Sequence, residues 1–141
     1  MLEFNHDTGL EEISINGKVS VWLNLTDIDF CERVFNTFSA MDANHEKYHA
    51  MLRGTDDPAK LFETARIMDA EMKTLLNLLF DKDICTPLYG NMNIYAMAGG
   101  APVWFNLIMC LIENMDDVFK AEKLKTNPRL QKYLDRFGKK K

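Results

Sequence analysis

A chain of 141 residues is long enough for one domain with a real core, because folding at this size buries roughly two thirds of the unfolded surface without staples. Its net charge is −4, from 21 acidic and 17 basic side chains, and its three cysteines form no C-x-x-C pair; that excludes a disulfide framework and leads us to expect reduced thiols, Cys31 and Cys110 buried in helices, and a cytoplasmic setting. Met1-Leu-Glu-Phe-Asn-His-Asp7 has neither the basic nor the apolar part of a secretion signal, and no apolar run reaches the ~20 residues that a bilayer requires, so no membrane association is expected.

From Glu12 to Leu23 apolar and polar residues alternate on either side of Asn16-Gly17. That pair tolerates positive φ at both centres of a type I′ turn, so the stretch predicts a β-hairpin. Ile13, Ile15, Val19 and Val21 supply its apolar face, which must rest on something else because an isolated hairpin is barely stable. Thr26 or Asp27 then caps a helix whose apolar residues recur at Ile28, Cys31, Val34, Phe35, Phe38, Met41, Tyr48 and Leu52, to end at Gly54. Asp57-Pro58 repeats the start signal, and Leu61, Phe62, Ala65, Met68, Met72, Leu75, Leu76 and Leu79 carry a second stripe to about Phe80.

Pro87, Gly90, Gly99 and Gly100 break the pattern between Asp81 and Gly100, where one short helix from Met92 to Ala98 is expected behind an Asn91 cap. Neither G-x-G-x-x-G nor G-x-x-x-x-G-K-[ST] is present, so Gly99-Gly100 reads as a tight turn between two helices rather than a phosphate loop. Pro102 opens the next helix. Its stretch Ala101 to Ile112 is interrupted only by Asn106, and a helix apolar all round is expected to be the buried, central one. Asn127-Pro128 caps a last helix with Leu130, Tyr133, Leu134 and Phe137 on one edge. These elements predict an α+β, mostly α fold, an N-terminal β-hairpin packed on a bundle of four to five helices. Residues 1–141 read as a single domain with the hairpin at 12–25, the helical core at 26–121 and a basic C-terminal helix and tail at 122–141.

One stretch has the form of a catalytic motif. His45-Glu46-Lys47-Tyr48-His49 matches H-E-x-x-H on a helix, where the i, i+4 spacing puts both imidazoles on one face, as in zinc peptidases that use the Glu as general base. Lys47 sits between the ligands, and the third-ligand candidates Glu63, Asp69, Glu71 and the distant His6 come with no supporting motif. His45 also falls in line with Phe38, Met41, Tyr48 and Leu52, so a ring that completes the apolar stripe is the favoured reading. No metal, cofactor or catalytic residue is therefore assigned, and the peptidase is kept as an alternative. Asp56-Asp57 and Asp116-Asp117 are adjacent pairs that suit helix caps or a solvated face. Met68, Met72, Met92, Met97, Met109 and Met115 lie in or beside apolar stretches; core filling is the plain reading, and an exposed subset would make an adaptable peptide-binding surface.

Residues 120–141 carry nine basic against two acidic side chains, a local charge of +7 that leaves −11 on the rest. A solvated terminal helix accounts for this; a nucleic-acid contact through the tail ranks last, because the aromatic interleaving of single-strand binders is confined to Tyr133 and Phe137.

The order of elements resembles a family. Ile13-x-Ile-Asn-Gly-Lys18, Leu23-Asn-Leu-Thr-Asp27 opening a long helix, Leu79-Phe-Asp81 closing the next, Leu88-Tyr-Gly90 and a basic C-terminus are similar to the tail assembly chaperones of long-tailed phages and prophages. The resemblance implies a non-enzymatic oligomeric protein of the host cytoplasm, absent from the mature virion. Its partners would be the tape measure protein, which it keeps soluble, and the tail tube protein, which it helps to recruit. Proteins of that family can be made in two lengths through a programmed ribosomal frameshift.

Overall fold

The computed structural model describes residues 1–125. Asn16 and Gly17 take φ of 54° and 67°, the left-handed values that a type I′ turn needs at both centres, and the Lys18 N–H closes the turn on the Ile15 carbonyl at 3.0 Å. Strand β1 (Glu11–Ile15) therefore folds back on β2 (Val19–Leu23), with Ile13 opposite Val21 and Ile15 opposite Val19. Those four side chains pack on the core. Trp22, one residue out of phase, is 64% exposed on the far face.

Both long helices start where their caps predict. The Asp27 carboxylate accepts the Asp29 N–H at the head of α1 (Ile28–Arg53), and Asp57 accepts that of Ala59 at the head of α2 (Pro58–Phe80). Each bond satisfies a first-turn donor that the helix itself leaves unpaired. The Phe30 and Phe80 rings, 6.4 Å apart, place the start of α1 beside the end of α2, so the two helices run antiparallel. Val34 and Met41 of α1 meet Met68, Met72, Leu76 and Leu79 of α2, all buried. The expected stripes need correction at their edges: Ile28, Phe35 and Phe62 are exposed, whereas Phe30 is buried. The inward line of α1 runs through 30, 34, 41, 45 and 48, and Phe35, about 100° round from Val34, faces outward.

The connection after α2 departs most from expectation. The short helix is α3, Cys85–Tyr89, with Pro87 inside it, and Met92–Ala98 is not helical. Proline is harmless there because first-turn N–H groups have no partner within the helix to lose. Asn77 organises the approach: its Oδ1 accepts the N–H groups of Ile84 and Cys85 at 3.0 and 3.1 Å. The 92–96 segment is held off a helical path by polar side chains. Asp69 accepts the Ile94 N–H at 2.7 Å, Asn93 donates to the Ala65 carbonyl at 3.0 Å, and Lys73 donates to the Met92 carbonyl at 2.8 Å. Ile94 and Tyr95 are thereby both buried.

Gly99 and Gly100, with φ of 63° and 88°, turn a two-residue strand β3 (Met97–Ala98) onto β4 (Ala101–Pro102). The tight turn is present, but it joins two strands. Helix α4 (Val103–Leu124) follows directly, and its Val103 and Trp104 N–H groups donate to the Ala96 and Ile94 carbonyls at 2.8 and 3.1 Å. Those bonds occupy the donors that a phosphate would need.

The expectation of a central helix buried all round is overturned. Only Trp104, Ile108 and Met115 of α4 are fully buried, and Asn106, Cys110 and Glu113 are exposed. The excess apolar surface faces the hairpin across a gap, as described below. Of the cysteines, Cys85 is the buried one, Cys31 is half-buried and Cys110 is exposed, which corrects the placement of two thiols. Among the described residues, the architecture is an N-terminal antiparallel hairpin followed by four helices, an α+β fold that is mostly α, and no helix is long and apolar enough to cross a membrane. The expected last helix, from Asn127-Pro128 to Phe137, lies outside the described residues.

Candidate functional site

Two places concentrate side chains in ways that folding alone does not require. The first is the C-terminal half of α1. His45 and His49 do share one face, and their Nε2 atoms lie 3.0 Å apart at a solvent-exposed position. His45 continues the inward line of α1, where its ring stacks on Tyr95 (centroids 5.7 Å apart, planes 11° apart) and leans on Trp104 at 5.5 Å. Tyr48 stacks on Tyr95 in turn, at 4.1 Å. Burial pushes the His45 imidazole below its ordinary pKa of 6.5, as does proximity to His49, while the negative charges of Glu46 and Asp42 act the other way. His45 Nδ1, Tyr95 Oη and Trp104 Nε1 are buried without hydrogen-bond partners.

The peptidase arrangement is incomplete among the described residues, where no group of three His, Cys, Asp or Glu side chains is placed to hold one metal ion. Of the third-ligand candidates, His6 is exposed in the segment before the hairpin. Asp69 is paired with Lys73 at 3.0 Å and bonded to the Ile94 N–H, while Glu63 and Glu71 are exposed on α2. Catalytic zinc sites use three protein ligands and an open position; here the structure brings together two. Sequence reasoning foresaw the histidine pair but missed Tyr95 and Trp104, whose approach to His45 depends on the non-helical 92–96 segment. Only the proximity of two large aromatics to Gly99-Gly100 hinted at it.

The second place is a groove between the hairpin and α4. It has a volume of about 350 Å³, with Ile13, Ile15 and Leu23 on one wall and Leu107, Leu111 and Val118 on the other. Spacings of four and seven residues put these α4 side chains on one face, beside the face that carries Trp104, Ile108 and Met115 into the core. Helix α4 thus has two apolar faces, one closed and one open. Glu11, Ser14, Asn16 and Asn114 also line the groove, and closing the hairpin onto the helix would strip water from them, which costs more than the apolar contact returns unless each finds a partner. Cys110 lies in this groove. Among the described residues no methionine lines it: Met68, Met72 and Met115 are core residues, Met109 is half-buried, and Met92 and Met97 are exposed elsewhere.

The outer face of the α1–α2 pair leaves Ile67 and Leu78 exposed. In the basic region, Lys120 pairs with Asp116 at 2.9 Å and Lys125 with Glu122 at 3.2 Å, and Lys123 is exposed in the last turn of α4; residues 126–141 lie beyond the described residues. Comparison of the chain with family models, curated proteins and solved structures gave no match.

Proposed function

We propose that this protein is a non-enzymatic binding protein that holds an amphipathic helix of another protein in the groove between its hairpin and α4. The observation that carries the reading is the open apolar face of α4, with Leu107, Leu111 and Val118 set opposite Ile13 and Ile15 across about 350 Å³. A groove with apolar walls and a polar rim takes a helix by its apolar edge. The role that fits is that of a phage tail assembly chaperone in the host cytoplasm: the occupant is a segment of the tape measure protein, kept soluble until tail tube subunits are recruited. The exposed Ile67 and Leu78 on the opposite face supply a contact for a homo-oligomer.

Co-expression with a phage tape measure protein tests this. The wild-type chain is expected to keep that protein in the soluble fraction and to co-purify with it, and Leu111→Glu, which places a charge in the groove, is expected to abolish both. If the wild-type chain neither binds nor solubilises the tape measure protein, the reading fails.

A further inference from the structure

The histidine pair has a geometry of its own, independent of the groove. Both rings are held in place: His45 stacks on Tyr95 and leans on Trp104, while the His49 ring meets His45 edge-on at 4.4 Å and Tyr48 at 5.7 Å. Two imidazole nitrogens 3.0 Å apart either share one hydrogen bond or hold one ion between them. With metal–nitrogen bonds of about 2.0–2.1 Å, that separation sets a nitrogen–metal–nitrogen angle of about 95°, whereas a tetrahedral zinc site would need about 3.3–3.4 Å between the nitrogens. An angle near a right angle belongs to adjacent positions of octahedral and square-planar centres, the geometries of nickel(II) and copper(II).

We propose that His45 and His49 chelate one divalent ion of the nickel and copper class through their Nε2 atoms, with water completing the coordination. Several features support it. The Asp42 and Glu46 carboxylates add negative charge near the pair. The aromatic clamp lowers the ordering cost that a histidine pair on a bare helix would meet. The second shell sets the limit. Metal at Nε2 fixes the remaining proton on Nδ1, and Nδ1 of His45 is buried without an acceptor, so the site is an exchangeable chelate rather than a permanent structural centre.

Titration calorimetry of the tag-free full chain with nickel(II), and separately with zinc(II), tests the proposal. One nickel ion per chain is expected, bound more tightly than zinc, with His49→Ala weakening nickel at least about tenfold. His49 is exposed, so that variant is expected to fold as the wild type does. In a Cys110→Ser background, which prevents thiol oxidation, bound copper(II) is expected to show the hyperfine pattern of two equatorial nitrogens and, after His49→Ala, of one. Absence of nickel binding, nickel binding unchanged by His49→Ala, or zinc bound more tightly than nickel would each overturn it.

Discussion

The interface between α1 and α2 and the one between the hairpin and α4 are built from the same kinds of residue, yet one is closed and the other open. Val34, Met41, Met72 and Leu76 have no exposure at all. Ile13, Ile15, Leu107 and Leu111 remain half-buried around a cavity. Amount of apolar surface does not separate the two; what lies among the apolar residues does. The side chains buried in the α1–α2 seam are all apolar, whereas the exposed polar residues Glu11, Asn16 and Asn114 line the second interface. Lys82, two residues past the end of α2, also links that end to the hairpin by donating to the Ser20 carbonyl at 2.7 Å.

The largest test of this contrast is a matched pair of truncations. Leu76→Ala in the closed seam is expected to cost about 2–5 kcal/mol, the lost transfer energy plus that of a cavity the packed neighbours cannot fill. Leu111→Ala in the groove removes a similar side chain from a place already partly wet, and about 1 kcal/mol or less is expected. Urea unfolding of the two variants measures both, and equal losses would show that the groove is in effect part of the core.

Next in size is Asn77→Ala, which leaves the half-buried N–H groups of Ile84 and Cys85 without their acceptor; about 1–3 kcal/mol is expected. Asp57→Ala removes the cap of α2 at a cost of about 1 kcal/mol. Neither change touches the groove, so both are expected to leave partner binding intact in the co-purification assay while lowering the unfolding midpoint. Loss of binding in step with stability would mean that the groove is assembled by the connection around α3 rather than by the hairpin.

These same residues show what a sequence displays and what it hides. Asn16-Gly17, Asp27, Gly54 and Asp57-Pro58 act through their own backbone or within three residues of it, so the hairpin and both long helices were legible with their ends. Asn77, Asn93 and Asp69 act on backbone groups 7 to 28 residues away. No local pattern announces such bonds, which is why a helix was expected over Met92–Ala98 and missed over Cys85–Tyr89. Helix α4 misled for another reason: apolar residues on every side are the signature of full burial, but here they serve one closed face and one open face. His45 and His49 were legible as a pair, since i, i+4 spacing is enough; the aromatic clamp came with the misread segment.

The smallest expected effect is also the one that joins the two halves of α1. His45 is half-buried on the inward line, and its pKa in the folded chain lies below the ordinary 6.5 because burial, then His49, disfavour the charged ring. The unfolded chain therefore takes up a proton at this site before the folded one does. Stability from His45 is fully present above about 6.5 and is lost as the pH falls from there through the folded pKa, where the folded state binds fewer protons than the unfolded. Protonation has a structural cost besides: an imidazolium at His45 turns the unpartnered Nδ1 into a donor buried among Tyr95 and Trp104. Thermal midpoints measured from pH 7.5 down to pH 5 are expected to fall for the wild type, and His45→Phe, which keeps an aromatic ring against Tyr95 and cannot titrate, is expected to flatten that slope. A slope that survives His45→Phe would assign the acid sensitivity to other groups and would leave the end of α1 as ordinary packing.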